Sequence, residues 1–408
     1  MPEHFDVLIV GAGHAGANLA LGLRQRKFGG SIGIVSDEVG WPYERPPLSK
    51  SYLAGSSTPQ DLMLRPSGVW ESHRVQFLSG RRVVAVLPDK HAVELDEGLR
   101  ITYGRLVWAA GGRARKLTCE GASLEGIHSI RTQNDVDRVR VDLRAAESLV
   151  IIGGGYIGLE AAATLVKMGK RVTLIEAQPR LLTRVSGAPI SQFLAEQHSS
   201  HGVVLKMQAA VARLEGRGNR VRTVMLADGT ELRAELVIVG IGMEPNTEPL
   251  AAAGAEISNG VRVDAQCRTC LPDVMAIGDC TSHPSRFSAS EWARLESVPN
   301  AMDQAAAAAR VLMGESIAQD SVPWFWSEQY DTKLQTVGLA QGYDGLALRG
   351  EPESGSFSVV YLRGGRIVAL DCVNSPRDFV QGKTLVSRGV AADARAIAAT
   401  AELKTLAS

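Results

Sequence analysis

Two glycine-rich turns, and the acids that follow them, are the residues of this chain best suited to chemistry. The first turn is GAGHAG, with Gly11, Gly13 and Gly16, directly after the apolar run FDVLIV; the second is GGGYIG, with Gly153, Gly155 and Gly158, directly after SLVII. Each stands where a strand gives way to a helix, so the missing Cβ atoms let backbone N–H groups at a helix N-terminus close on a pyrophosphate. An acid ends the next apolar run each time, Asp37 after SIGIVS and Glu176 after RVTLI, placed to accept hydrogen bonds from a ribose hydroxyl. One fingerprint says little. Two complete ones predict two nucleotide sites on one polypeptide, the plan of an enzyme passing electrons from a nicotinamide to a flavin. The turns alone do not say which nucleotide goes where. Glu176 also predicts NADH over NADPH, because a carboxylate repels a 2′-phosphate by roughly 4 kcal/mol per charge pair at an effective dielectric of about 20. Arg180, close by, opposes that preference.

The elements that must hold these residues follow from the apolar pattern. Strand 6–10, helix 14–26 and strand 31–35 make a βαβ unit. The proline-rich WPYERPPLSKSYL is an irregular loop running into a short helix, and strand-like pieces from Val75 end at YGRLVWAAGG. A second nucleotide unit runs from Arg113 through RAELVIVGIGMEPN; RTCLPDVMAIGDC then adds a strand and turn, followed by the helix LESVPNAMDQAAAAARVLMG. The alanine run Ala305 to Ala309 reads as a tightly packed helix. From about Ile317 the pattern changes to antiparallel strands, with helices after Ser375, and Trp324 and Trp326 fall at strand period with one face in the core. The organisation predicted is α/β: a first nucleotide domain over 1–112 and 242–316, interrupted by a second over 113–241, and a C-terminal α+β domain over 317–408.

Composition sets limits on partners. A chain of 408 residues exceeds what one core supports, and 45% hydrophobic with 22% charged residues is ordinary globular material. The 44 basic residues balance the 44 acidic ones, which leaves no global field for nucleic acid or an anionic membrane. No apolar stretch approaches the roughly 20 residues that span a bilayer. With Phe5 already in the first strand there is no room for a leader, so a cytoplasmic location is expected. Five cysteines, Cys119, Cys267, Cys270, Cys280 and Cys372, are odd in number and mostly far apart, as in a reduced compartment.

Beyond the two fingerprints the chain carries, in order, PYERPPLSK, AAGGRARKL, GIGMEPNTE, AIGDC, RLESVPNAMDQA and PWFWSEQYDTKLQTVGL. Over essentially its whole length it resembles the FAD-dependent NADH:ferredoxin reductases of bacterial cytochrome P450 and ring-hydroxylating oxygenase systems, the putidaredoxin reductase-like class. The resemblance implies a glutathione-reductase-like fold, FAD at the first fingerprint, NADH at the second, and as acceptor a 2Fe-2S ferredoxin of acidic surface, with no metal in the reductase itself. It puts Ala15 at the position of close approach to the FAD pyrophosphate, Asp37 on the adenosine ribose, Arg45 on a phosphate, and Val83 and Arg131 at adenine-side and inter-domain FAD contacts. Asp279 of AIGDC bonds the ribitol, and Val298 approaches the flavin edge through its backbone.

The catalytic pair implied is Lys50 and Glu160. The Lys50 ammonium near the flavin ring favours the negative charge that develops as the ring accepts hydride, and Glu160 points to the nicotinamide and to Lys50. The plainer readings are a solvated surface lysine and a first-turn glutamate that complements the helix dipole. Trp326 lies by analogy near the flavin edge facing the ferredoxin, and Arg65, Lys333 and Lys383 are candidates for a docking face. The CxxC spacing of Cys267 and Cys270 suggests a redox disulfide, but disulfide reductases of this fold carry their pair elsewhere, where this chain has WPYER and no cysteine pair. The rival readings are a rubredoxin or other small-carrier reductase, a flavin oxidase, or an interaction protein like apoptosis-inducing factor. The last would call for a targeting segment and a basic surface.

Overall fold

The computed structural model describes residues 3–317 and 320–407. The chain forms two compact units, one of Met1–Glu44, Met63–Arg113 and Glu244–Trp324, the other of Arg45–Leu62, Ala114–Met243 and Phe325–Ser408.

In the first unit the run FDVLIV becomes strand His4–Val10, parallel to Ile32–Ser36 on one side and Arg100–Trp108 on the other, with Val75–Ser79 beyond Ile32–Ser36. Strands covered on both faces lose water on both faces, which is why these segments are continuous apolar runs without alternation. Val274–Ala276 joins Arg100–Trp108 in parallel, and the antiparallel strands Ala92–Leu95 and Val83–Leu87 extend the sheet. Helices His14–Gln25 and Val298–Leu312 pack on each other through methyl groups. Ala305, Ala307, Ala308 and Ala309 are buried, and a Cβ added at Gly22 would lie 3.4 Å from that of Ala309. The alanine run is therefore what lets two helices approach closely.

The second unit holds a five-stranded parallel sheet in the order Val204–Met207, Arg171–Glu176, Ser148–Ile152, Leu236–Val239, Ile127–His128. A three-stranded antiparallel sheet, Val211–Arg217, Arg220–Leu226 and Glu231–Arg233, shares its core. The C-terminal sheet has five strands in the order Trp324–Gln329, Thr332–Gly338, Arg366–Val373, Ser356–Arg363, Gly345–Glu351, with helix Pro376–Arg388 against it. The expected borders at 112, 241 and 316 stand beside unit borders at 113, 243 and 324. The segment from Phe325 on, expected as a domain of its own, clusters with 114–243, as does the PPLSK loop. That loop carries the short helix Ser51–Ala54, and Tyr52 ties it down by donating to Asp137 Oδ1 at 2.6 Å.

One expectation is corrected at strand Trp324–Gln329. Trp324 and Trp326 are half-buried, and the buried positions are Ser327 and Gln329. The inward face of this strand is polar. Among the described residues no helix is long and apolar enough to cross a membrane, and no group of three or more His, Cys, Asp or Glu side chains is arranged to hold a metal.

The helix contact can be tested by overpacking. Ala309→Leu, at a fully buried methyl, is expected to lower stability by about 1–3 kcal/mol in urea melts, while Ala306→Leu on the exposed side of the same helix stays within about 0.5 kcal/mol.

Candidate functional site

The two fingerprints fold into the same local shape. Gly11 and Gly153 have φ of +111° and +113°, and a Cβ on either would run into the carbonyl oxygen of Ala109 or of Gly240, where the neighbouring strand ends. A Cβ on Gly16 or Gly158 would strike the carbonyl oxygen of Gly11 or Gly153, so each helix can ride over its turn only with glycine there. Gly13 and Gly155 differ: both are in extended backbone at the N-cap, and an added Cβ meets nothing within 4 Å at Gly13 and only the Gly240 oxygen, at 4.0 Å, at Gly155. Neither helix has a side-chain cap or an acid in its first turn, so the positive end of each helix dipole stands at its turn without a carboxylate from that turn. That fits a pyrophosphate at each. The open position is Gly13, and the Ala15 methyl faces Gly278, where an added Cβ would lie 3.0 Å from it.

In the first unit, strand Val274–Ala276 leads to Gly278, at φ +83°, and the half-buried Asp279. The turn is locked from helix Val298–Leu312 by Gln304, a residue of RLESVPNAMDQA to which the sequence assigned no role of its own. Fully buried, Gln304 accepts from Gly278 N at 2.6 Å and Thr281 Oγ1 at 3.0 Å, and its amide nitrogen lies 3.2 Å from His283 Nδ1. Val298 is the first residue of that helix, behind the N-cap Ser297. Val83 opens strand Val83–Leu87 and lies in the core. Asp37 is exposed one residue past strand Ile32–Ser36 and pairs with Arg82 at 3.1 Å. Register sets it apart from Glu176: Val10 pairs with Val35 as Ile152 pairs with Ile175, so Ser36 is the true counterpart of Glu176.

In the second unit Glu176 is fixed at the turn. Its Oε2 accepts from Gly154 N at 2.7 Å and its Oε1 from Gln178 N at 2.8 Å. Arg180 is committed to its own loop, donating to Ser186 O at 2.6 Å, Ser191 Oγ at 2.8 Å and Thr183 O at 3.1 Å.

Lys50 and Glu160 are brought together. The two prolines of Pro46–Ser49 wind the loop into a 3-10 turn that presents Ser49 and Lys50 to helix Tyr156–Lys167, where Thr164 Oγ1 donates to Ser49 O at 2.8 Å. Glu160 is 3% exposed, which rules out the plain dipole-complementing surface glutamate. Its Oε2 accepts from Lys50 Nζ at 2.7 Å and Ser49 Oγ at 2.6 Å, and its Oε1 from Ser327 Oγ at 2.7 Å. Beyond Ser327, Gln329 Nε2 donates to Ser327 Oγ at 3.1 Å, Gln329 Oε1 lies 2.8 Å from His198 Nε2, and His198 Nδ1 lies 3.0 Å from Tyr330 Oη. Burial pushes the His198 ring down to about 4. Arg45 donates to Arg131 O at 2.7 Å, so these two also meet. Trp326 is half-buried beside Phe325, whose ring lies 4.6 Å from that of Tyr156. Of the docking candidates, Lys333 pairs with Glu328 at 3.6 Å and Lys383 lies over the Phe379 ring.

The CxxC cysteines are both free thiols. Cys267 is buried with Sγ 4.0 Å from Gln304 O and burial pushes it up to about 12, whereas Cys270 is exposed with Sγ 3.6 Å from Gly254 O.

Residues 5–305 match the pyridine nucleotide-disulphide oxidoreductase family, and residues 324–407 match the reductase C-terminal domain. The chain belongs to this family. It is 51% identical over 391 residues, 96% of this chain and 95% of the relative, to the 5,5′-dehydrodivanillate O-demethylase ferredoxin reductase subunit of a Sphingobium species. It is 50% identical over 384 residues, 94% of this chain and 93% of the relative, to a ferredoxin–NAD(P)(+) reductase of a Sphingomonas species. Among solved structures, the covalent putidaredoxin reductase–putidaredoxin complex matches with a TM-score of 0.94 at 38% identity, covering 99% of this chain and 98% of that one. The fold is glutathione-reductase-like, as the sequence had implied.

Two measurements check this geometry. Gly155→Ala is expected to leave stability within about 0.5 kcal/mol and to weaken NAD+ binding about tenfold or more in fluorescence titration, whereas Gly158→Ala destabilises the fold itself. In nitrogen NMR the His198 ring stays neutral, with its proton on Nε2, from pH 8 down to pH 5, since its folded value lies below that range; a ring that charges near pH 6.5 contradicts the burial described.

Proposed function

We propose that this protein is an FAD-containing ferredoxin reductase that takes hydride from NADH and passes electrons singly to a 2Fe-2S ferredoxin serving an oxygenase, in the cytoplasm. The observation that carries this reading is the repetition of one open, uncapped fingerprint turn at two places in the chain, together with a buried ion pair on the second helix. The reaction balances as one NADH and two oxidised ferredoxins giving NAD+, a proton and two reduced ferredoxins.

FAD suits the junction because it accepts two electrons together and releases them one at a time. Gly11, Gly13 and Gly16 receive its pyrophosphate, with Asp37 and Asp279 as acceptors for its ribose and ribitol hydroxyls and Val83 and Val298 lining the site. Gly153, Gly155 and Gly158 receive that of NADH. Glu176, held by two backbone N–H groups, offers its carboxylate to the ribose diol and opposes a 2′-phosphate. Arg180 has its donors engaged within the loop, which removes the one cation set against that preference. Glu160 holds the Lys50 ammonium in place for the hydride step, where its charge favours the negative charge that develops. The two thiols of the CxxC sequence hold separate carbonyls and take no electrons.

Substrate selection and chemistry therefore separate by residue. In anaerobic stopped-flow, NADH is expected to be strongly preferred in kcat/KM, and Glu176→Ala to narrow the gap to NADPH by about tenfold or more while the limiting rate changes little. Lys50→Ala slows the limiting rate about 10- to 100-fold and leaves the NADH to NADPH ratio unchanged. Equal efficiency with NADPH in the unmodified protein would overturn the assignment of Glu176.

A further inference from the structure

The hydrogen bonds that converge on Glu160 have a fixed direction. Ser327 has one hydrogen and gives it to Glu160, so its oxygen is left to accept from the Gln329 amide. The Gln329 amide oxygen can only accept, so His198 Nε2 must carry the hydrogen at 2.8 Å. A neutral ring then has Nδ1 free as an acceptor, and Tyr330 Oη donates to it. Every donor from Tyr330 through His198, Gln329 and Ser327 therefore points toward one carboxylate, and Ser49 points to its other oxygen. Ser49, Ser327, Gln329 and His198 are all at most 3% exposed, so the array has no water to fall back on. It also cannot conduct a proton outward, because the Gln329 amide does not exchange its hydrogen across itself. Its dipoles can only add at Glu160.

We propose that Ser327, Gln329 and His198 are positioning residues of the hydride half-reaction: strand Trp324–Gln329 of the C-terminal sheet and helix Ala188–Ser200 together fix the Glu160 carboxylate, and through it the Lys50 ammonium. The C-terminal sheet thus serves the hydride half-reaction. This rests on the role of Lys50 and Glu160 given above.

The test uses the full-length FAD-loaded protein without ferredoxin, comparing Glu160→Gln, Ser327→Ala, Ser327→Thr and the double variant Glu160→Gln/Ser327→Ala. Ser327→Ala is expected to slow the limiting rate of flavin reduction about tenfold, with half-saturating NADH changed less than about twofold, and Ser327→Thr, which keeps the hydroxyl, recovers most of that rate. In the Glu160→Gln background Ser327→Ala has no further effect. The midpoint potential of the bound flavin, read by equilibrium dye titration, moves in the same sense in Ser327→Ala as in Glu160→Gln and no further in the double variant. A purely structural serine would instead give additive losses and an unmoved potential. If Glu160→Gln leaves the limiting rate unchanged, the role of the Lys50–Glu160 pair falls and the array with it. If Glu160→Gln slows reduction and Ser327→Ala does not, the array alone is overturned. Should Ser327→Ala fail to fold, Gln329→Met removes the amide at similar volume and takes its place, and a wild-type His198 carrying its proton on Nδ1 would break the array without any variant.

Discussion

A carboxylate taken out of water has to find its hydrogen bonds inside the protein, and Glu160 finds all of them on segments distant in sequence. Removing such a group from solvent costs several kcal/mol, which is recovered only when every oxygen is well bonded. Its donors are Ser49, Ser327 and the Lys50 ammonium, with Ser49 lying 111 residues away and Ser327 167 residues away in the chain. The PPLSK loop, the helix of the second fingerprint and the first strand of the C-terminal sheet are consequently ordered by one side chain. The place of the ammonium is set by the same requirement. The double proline that shapes the loop and the small hydroxyl residues that face Glu160 make sense as conditions for burying that charge.

The two nucleotide turns solve a simpler problem twice. A strand must end, the chain must reverse, and a helix must begin so close to the turn that glycine is forced at its first and third positions, leaving the second open to a ligand. What distinguishes the two sites lies outside the shared geometry. Beyond the second turn, Glu176 closes the strand and is pinned to Gly154, whereas in the first unit Ser36 takes that place and Asp37 lies one residue further on. A polar lock from Gln304 holds the turn of Asp279. Small differences in register and in second partners thus set two turns of one shape apart.

The sequence exposed what depends on local backbone need. Gly11, Gly16, Gly153 and Gly158 are legible because only glycine survives where they sit, and Ala305 to Ala309 are legible because a run of methyls has few uses other than close packing. What depends on long-range contact was not legible. Ser327 and Gln329 sit between aromatic residues that drew the eye to a hydrophobic face, yet that face is the more exposed one. His198 lies in no motif, and Gln304 lies in RLESVPNAMDQA with nothing local to show what its side chain would hold. Arg180 looked able to accept a phosphate, and only the fold shows its guanidinium spent on Ser186, Ser191 and Thr183. The CxxC spacing, set aside on the sequence because disulfide reductases carry their pair elsewhere, holds a buried thiol and an exposed one at different carbonyls.

The central claim is that electrons pass from nicotinamide to flavin to a one-electron carrier with no thiol between. Anaerobic titration of the purified FAD-loaded protein with NADH counts the electrons it can store. The account predicts that one equivalent of NADH bleaches one FAD, in the untreated and in the alkylated protein alike, and that the reduced protein then reduces two equivalents of a 2Fe-2S ferredoxin. Uptake of a second equivalent of NADH that disappears on alkylation would reveal a redox-active cysteine pair and contradict it.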